Sequence, residues 1–189
     1  MKYTLDQGKQ LIDIARKSIE FYFKGKELDT NLFKEKKGSF VTVYVKEELR
    51  GCIGLVLPYE NLGKVIIDMA RQAAFHDSRF KKITEKELKD LTIEISVLTV
   101  PDLLEVRPER YKEKIKIGKD GLIVGCQGFS GLLLPQVAKE HNWDSEEFLK
   151  QTCIKAGLLE NTWKEKKCEV YTFQAQVFKE RPDRTVIEE

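Results

Sequence analysis

Apolar residues recur at helical spacing in two long stretches of the chain. The first, residues 4–24, opens on Thr4-Leu5-Asp6-Gln7, whose Thr and Gln have the spacing of a capping box. The second begins at Leu62 and runs to about Ala74. Shorter helices are predicted after the capping-box sequence at Thr84, over Pro135–His141, and from Asp144 to about Ala156.

Between the helices the hydrophobic period shortens to two, which is typical of β-strands. Strands are predicted over 40–45, from Arg50 towards Pro58, over 91–99 and over 169–178. The first two are predicted to form a hairpin that turns at Glu47-Glu48. Asp120-Gly121 carries a hairpin signal between the apolar runs 115–117 and 122–124, and Gln127-Gly128 marks a second turn. Residues 181–189 are expected to be a frayed polar tail.

The order of these elements indicates the fold class. Helices come early and late and hairpins lie between them, which predicts an α+β fold with a mainly antiparallel sheet. The sequence has no glycine-rich phosphate loop between a strand and a helix, so a nucleotide-binding fold has no support. At 189 residues the chain is expected to form one domain over 1–189.

Charge and targeting signals narrow the classes of partner. The 33 basic and 31 acidic residues are interspersed, which argues against bulk attraction to nucleic acid or membrane. Most of these residues are Lys and Glu, a bias found in proteins from hot environments. Residues 1–10 lack a signal-peptide pattern and no apolar run reaches membrane-spanning length, so a cytoplasmic protein is expected.

The four cysteines, Cys52, Cys126, Cys153 and Cys168, form no Cys-x-x-Cys pair, and the chain has two histidines. A zinc or iron–sulfur site needs closely spaced soft ligands, so neither a metal nor a cofactor is predicted. In the cytosol the thiols are expected to be reduced. The last three cysteines are interpreted as packing residues.

The stretch Leu49–Gly54 is the strongest candidate for a functional site. Two glycines around a cysteine sacrifice packing for access to the backbone. Strand alternation places Arg50, Cys52 and Gly54 on one face, with an open spot at Gly54, and Gly51 on the other. A nearby cation lowers the pKa of a thiol, so Cys52 is the candidate catalytic residue and Arg50, Gly51 and Gly54 are candidate ligand contacts.

Each candidate also has a purely structural interpretation. Cys52 is either a nucleophile or a small buried hydrophobe, and neither His76 nor His141 is placed by the sequence as its base. Arg50 either binds a carboxylate or phosphate or forms an ion pair, for example with Glu94. Glu94 is itself a candidate ligand contact. The remaining candidates are Asp77 and Arg79, which either fix their loop or contact a ligand, and Gln136, which either donates to a substrate or satisfies a backbone group.

Several stretches together resemble the AMMECR domain family. The signature hexapeptide of that family matches Leu49–Gly54 in full. Further blocks that resemble the family are Ala73-Ala74-Phe75, Asp77-Ser78-Arg79-Phe80, Glu94–Leu98, Gly118–Leu122, Gly131–Ala138, Trp143, Phe148-Leu149, Cys153 and Lys155–Leu158.

The resemblance implies a larger subdomain built from both chain ends and a smaller one inserted from the middle, with the hexapeptide near the cleft between them. It also implies association with a Memo-like protein and a radical S-adenosylmethionine enzyme. This chain carries neither partner domain nor the three-cysteine cluster that a radical enzyme needs, so such chemistry would occur on a partner.

Two hypotheses for function follow. In the first, the chain binds a small anionic ligand near Arg50 and Cys52 and acts with the Memo-like and radical S-adenosylmethionine partners. In the second, it is a non-catalytic adaptor or binding module for nucleic-acid-related machinery. The balanced charge argues against direct nucleic-acid binding.

Overall fold

The structure, a computed structural model, describes residues 2–189. Contacts within the chain divide it into two compact units. Unit 1 takes the chain up to Leu98 together with Gln176–Glu189, and unit 2 is Thr99–Ala175. Both units combine helices with antiparallel strands, so the predicted α+β class with a mainly antiparallel sheet is confirmed.

Unit 1 contains two long helices and a three-stranded antiparallel sheet with an added C-terminal hairpin. Its elements are α1 (Leu5–Phe23), β1 (Ser39–Val45), β2 (Glu48–Leu55), α2 (Leu62–Phe75), a 3-10 helix (Glu85–Asp90) and β3 (Leu91–Leu98). Strand β1 lies in the middle and pairs antiparallel with both β2 and β3. The last residues of the long strand β7 (Glu169–Glu180) also belong to unit 1, where they pair with β8 (Val186–Glu188).

Local sequence signals account for the N-terminal starts of the two long helices. The Thr4 hydroxyl accepts a hydrogen bond from the backbone N–H of Gln7, and the Gln7 side chain accepts one from the N–H of Thr4, which completes the predicted capping box. Asn61 caps α2 by accepting from the N–H of Lys64. Orphan amides at both helix starts are therefore satisfied.

The core of unit 1 lies between the helices and the sheet. Helix α2 packs against α1 and against β1 and β2. Leu11, Ile66, Val43 and Ile93 are fully buried, and each such side chain contributes roughly 1.5–3 kcal/mol through the hydrophobic effect. Strand β3 is buried along its whole length, including the polar positions that alternation assigns to its other face: Thr92, Glu94 and Ser96.

Unit 2 is built around a second hairpin. Its elements are β4 (Asp102–Leu103), a 3-10 turn (Pro108–Arg110), α3 (Tyr111–Lys114), β5 (Asp120–Cys126), β6 (Phe129–Leu133), α4 (Pro135–Glu140), α5 (Ser145–Lys155), a 3-10 turn (Thr162–Lys164) and the first part of β7. Strand β5 pairs antiparallel with β6 and β7. Trp163, Phe148 and Val124 are buried in a separate core.

The hairpin prediction at Asp120-Gly121 is wrong, because both residues lie inside β5. The residues before it, 115–117, do not form a strand. Instead a turn closes at Gly118, whose φ of 77° suits glycine, and the Asp120 carboxylate accepts from the N–H of Lys116 at 2.9 Å. The hairpin turn is the second predicted one, at Gln127-Gly128.

The expectation of a frayed tail over 181–189 is also wrong. Strand β8 pairs with the end of β7. Arg184 donates to the carbonyls of Leu91 and Lys89, at 2.6 and 2.8 Å, and Glu180 is buried between Arg16 and Arg184. These bonds tie a polar segment to β3 and α1, which composition alone does not reveal.

Cys126 and Cys168 are joined by a disulfide across 42 residues of sequence, so they are not the reduced packing thiols that were expected. The free cysteines are Cys52 and Cys153, of which Cys153 is buried as predicted for a packing residue. Among residues 2–189, no helix combines the length and the apolar character needed to cross a bilayer.

Candidate functional site

Neighbouring elements pack closely against both glycines of the Leu49–Gly54 strand. A Cβ atom at Gly51 would lie closer than 3.0 Å to the backbone carbonyl of Ala73 in α2. One at Gly54 would lie equally close to the Phe40 ring and to the carbonyl of Ser39. The open spot expected at Gly54 is therefore filled, and both glycines let a neighbouring element approach the strand.

The Cys52 thiol is half-buried on this strand. The hydroxyl of Thr42, its cross-strand partner, donates to the sulfur at 3.2 Å. Burial raises the pKa of the Cys52 thiol above its ordinary value, and the Thr42 hydrogen bond and the charge of Arg79 only partly oppose this. The expectation that a cation lowers this pKa is wrong because desolvation dominates and because Arg50 is engaged elsewhere.

Alkylation of the native protein checks this electrostatic environment. We expect Cys52 to react slowly at pH 7, with an apparent pKa above the value of about 8.5 for a free thiol, as followed by intact mass with peptide mapping. In Thr42→Val the thiolate loses a hydrogen bond, so the pKa should rise further. Fast modification of Cys52 at neutral pH would contradict the burial argument.

Arg50 makes a structural ion pair. The register between β1 and β2 slips by one residue after Val43, which leaves Arg50 as the extra residue of a β-bulge and interrupts the alternation that placed it beside Cys52. Its guanidinium donates to the Glu87 carboxylate at 2.5 Å and to the carbonyl of Lys81 at 3.2 Å.

The partner of Arg50 is therefore Glu87 and not Glu94, which was the suggested example. The hydrogen bond from Arg50 lowers the pKa of Glu87 to about 2, helped by hydrogen bonds from Thr84. The same carboxylate accepts from the backbone N–H of Thr84 at 2.8 Å and so caps the following 3-10 helix. Arg50 thus fixes the segment before β3.

Asp77 and Arg79 brace the backbone of the cysteine. The buried Asp77 carboxylate accepts from the backbone N–H of Cys52 at 2.9 Å and from Arg79 Nε and Nη2 at 2.9 and 2.7 Å. Arg79 Nη2 also donates to the carbonyl of Cys52 at 2.8 Å. These bonds hold the pKa of Asp77 well below its usual range.

Arg79 differs from Arg50 in its exposure. Its side chain is 59% exposed, compared with 18% for Arg50, although one edge of the guanidinium is fixed on Asp77. Its Nη1 atom donates to none of the residues that the structure describes. This Nη1 group, on a guanidinium whose orientation is already fixed, is suited to donating to a carboxylate or a phosphate.

Glu94 lies opposite Thr42 in the neighbouring strand. It is buried, and burial raises the pKa of its carboxyl. The hydroxyl of Tyr44 donates to it at 3.3 Å and Lys179 Nζ lies 3.4 Å away. Tyr44 and Lys179 were missed by sequence reasoning because only the pairing register of β1 and the position of β7 reveal them.

The other candidates lie outside this cluster. Gln136 belongs to unit 2, where it is half-buried in the first turn of α4 after Pro135. His76 is the C-cap residue of α2, and His141 stacks on Trp143 with ring centroids 4.6 Å apart. Within unit 1 no hydrogen bond joins His76 to the Cys52 thiol, so the structure does not give that thiol a paired histidine base.

The arrangement in unit 1 is suited to binding more than to nucleophilic attack. It offers a fixed and exposed guanidinium, a protonated thiol on the residue whose carbonyl that guanidinium binds, and a buried carboxyl with a tyrosine and a lysine. A thiol acts as a nucleophile in its thiolate form, which the raised pKa disfavours at neutral pH.

Comparison with known proteins gives consistent results along the chain. The family model described as AMMECR1 matches residues 12–178. A protein of Methanococcus aeolicus is 43% identical over 196 residues, which cover 100% of this chain and 98% of that protein. Protein TK0174 of Thermococcus kodakarensis is 44% identical over 189 residues, which cover 94% of this chain and 92% of that protein.

A solved structure is similar in fold as well as in sequence. The crystal structure of the uncharacterized protein PH0010 from Pyrococcus horikoshii matches with a TM-score of 0.89 and 41% identity, covering 97% of each chain. The bias toward Lys and Glu, which is found in proteins from hot environments, agrees with a relative in Thermococcus kodakarensis. The range matched by the family model, residues 12–178, spans the Leu49–Gly54 strand.

Proposed function

Since this chain belongs to the AMMECR1 family, we propose that it binds a small anionic ligand at the Leu49–Gly54 strand and acts with Memo-like and radical S-adenosylmethionine partners. The observation that carries the binding proposal is the exposed guanidinium of Arg79, held by Asp77 and by the carbonyl of Cys52. The partnership rests on family resemblance alone.

Arg79 supports anion binding better than Arg50 does. The Arg50 guanidinium is largely buried and donates to Glu87 and to two backbone carbonyls. Nη1 of Arg79 has no partner among the described residues, and the orientation of the guanidinium is already fixed, so a ligand would not have to order a mobile side chain. Cys52 would then line the site as a protonated thiol.

Titration with inorganic phosphate and with citrate as anionic probes tests the site. We expect Arg79→Gln to weaken probe binding by roughly tenfold, as measured by calorimetry at low salt, because the charge-assisted hydrogen bonds are lost. Arg110→Gln is the matched control, since Arg110 is 60% exposed and is paired with Glu113. Equal binding by wild type and Arg79→Gln would refute the role of Arg79.

The non-catalytic adaptor is a second candidate, and the raised pKa of the Cys52 thiol favours it. In an adaptor, Cys52→Ser is harmless, whereas Arg50→Ala weakens complex formation because it releases Glu87 and the segment around Lys81. Reconstitution with the Memo-like and radical S-adenosylmethionine partners separates the two functions, since loss of product in Cys52→Ser requires a chemical role for the thiol.

A further inference from the structure

Unit 2 holds a cluster of soft and charged donor atoms that lies outside the proposed ligand site. The sulfurs of Cys126 and Cys168 and a carboxylate oxygen of Glu165 all lie within 4.8 Å of one another. Both cysteines are buried, whereas Glu165 is exposed. The three residues come from two separate turns, so their sequence spacing did not indicate a common site.

All three donors lie at the ends of tight turns. Cys126 begins the tight β5–β6 turn, in which Gln127 and Gly128 have φ values of 52° and 86° and Phe129 is the pairing residue on β6. Glu165 and Cys168 are the ends of a second turn, closed by a hydrogen bond of 3.0 Å from the N–H of Cys168 to the carbonyl of Glu165. Glu165-x-x-Cys168 thus has the spacing of a metal-binding Cys-x-x-Cys turn with Glu in the first place.

We propose that reduction of the Cys126–Cys168 disulfide converts this cluster into a binding site for a divalent cation of the zinc type. A dithiol reductant supplies two electrons and two protons: the S–S bond breaks, two S–H groups form, and the reductant becomes a disulfide. Metal binding then releases the two thiol protons to water and forms two S–metal bonds.

The donor set selects the metal. Two thiolates and one carboxylate suit Zn²⁺, with bonds of about 2.3 Å to sulfur and about 2.0 Å to oxygen, and tetrahedral geometry leaves the fourth position to water. The two sulfurs must separate from their bonded distance to the spacing of two ligands on one metal ion. Lys167 Nζ, now 3.1 Å from the Glu165 carboxylate, must give up that contact.

Disulfide and metal exclude each other at this site, because the same two sulfurs take part in both. Either one links the β5–β6 turn to the residue that precedes β7, across 42 residues of sequence. The unit therefore keeps its cross-link under oxidising conditions through sulfur and under reducing conditions through the metal. The exposed Glu165 gives the cation a route from solvent.

Zinc titration of the full chain tests the proposal. After reduction with a phosphine and removal of the excess, the wild type should bind one Zn²⁺ in competition with a chromophoric chelator, and the oxidised protein should bind none. Glu165→Gln keeps the disulfide but should weaken zinc binding by at least roughly tenfold. Cys168→Ser should abolish it, and Cys153→Ser, the control for the other thiol of unit 2, should not change it.

Cobalt substitution supplies a second readout. Co²⁺ in the reduced wild type should show thiolate charge-transfer bands and tetrahedral d–d absorption, and both should be lost in Cys168→Ser. The proposal is overturned if the reduced wild type binds no zinc, whether or not it stays folded, or if Glu165→Gln and Cys168→Ser bind as tightly as the wild type.

Discussion

Replacing Gly51 with alanine is expected to lower the free energy of unfolding by about 3 kcal/mol. The added Cβ would meet the backbone carbonyl of Ala73, and a backbone atom inside a helix cannot move aside as a side chain can. The strand β2 or the helix α2 must therefore shift, which disturbs a core that includes Ile66 and Val43. Denaturation in urea measures the change.

Gly125→Ala is the matched control, because this glycine also lies in a strand but has no atom within 4 Å of the position a Cβ would take. Its stability should change by no more than about 0.5 kcal/mol. If Gly51→Ala were as stable as Gly125→Ala, the glycine would not serve packing, and access for a ligand would become the better explanation of the hexapeptide.

Replacing Asp77 with alanine is expected to cost about 3 kcal/mol at pH 7. The change leaves the backbone N–H of Cys52 without its acceptor and removes the two hydrogen bonds that the Arg79 side chain makes to Asp77. Asp13→Ala is the comparison, since Asp13 forms an exposed pair with Lys17 and its loss should cost no more than about 0.5 kcal/mol.

The pH dependence of the stability of Asp77→Asn tests the same interaction. The folded-state pKa of Asp77 is depressed, so its carboxylate contributes stability that is fully present above the unfolded-state pKa of about 4. That contribution is lost as the pH falls from there toward the lower folded-state pKa. The stability difference between wild type and Asp77→Asn should therefore be constant near neutrality and should shrink below about pH 4. A difference that grows in acid would contradict the assignment.

Elements that depend on local signals were predicted well from the sequence. The capping box at Thr4 and the apolar stripes of α1 and α2 determine helices that hardly need tertiary context. Features that depend on distant partners were not. The bulge at Arg50 changes the face of one side chain, and its partner Glu87 is 37 residues away, so period-two reasoning could not find either.

The candidate site shows the same division. The sequence singled out Cys52, Asp77 and Arg79, which the structure joins by hydrogen bonds, because each stands in a distinctive local stretch. It gave the wrong direction for the pKa of the thiol, since burial cannot be read from one strand alone. The Cys126–Cys168 link escaped notice because 42 residues separate its ends.

The long strand β7 has a consequence for how the protein is made. Tyr3 and Gln176 exchange two hydrogen bonds of 2.8 Å, and Phe178 is fully buried in the core of unit 1. On the ribosome every residue of unit 2 is synthesised before Gln176, so the inserted unit is complete while the nascent unit 1 still lacks its closing strand. Until then the place of Phe178 beside α1 stays open to water, so the part of the protein that is made first cannot close its core before the last 14 residues are made.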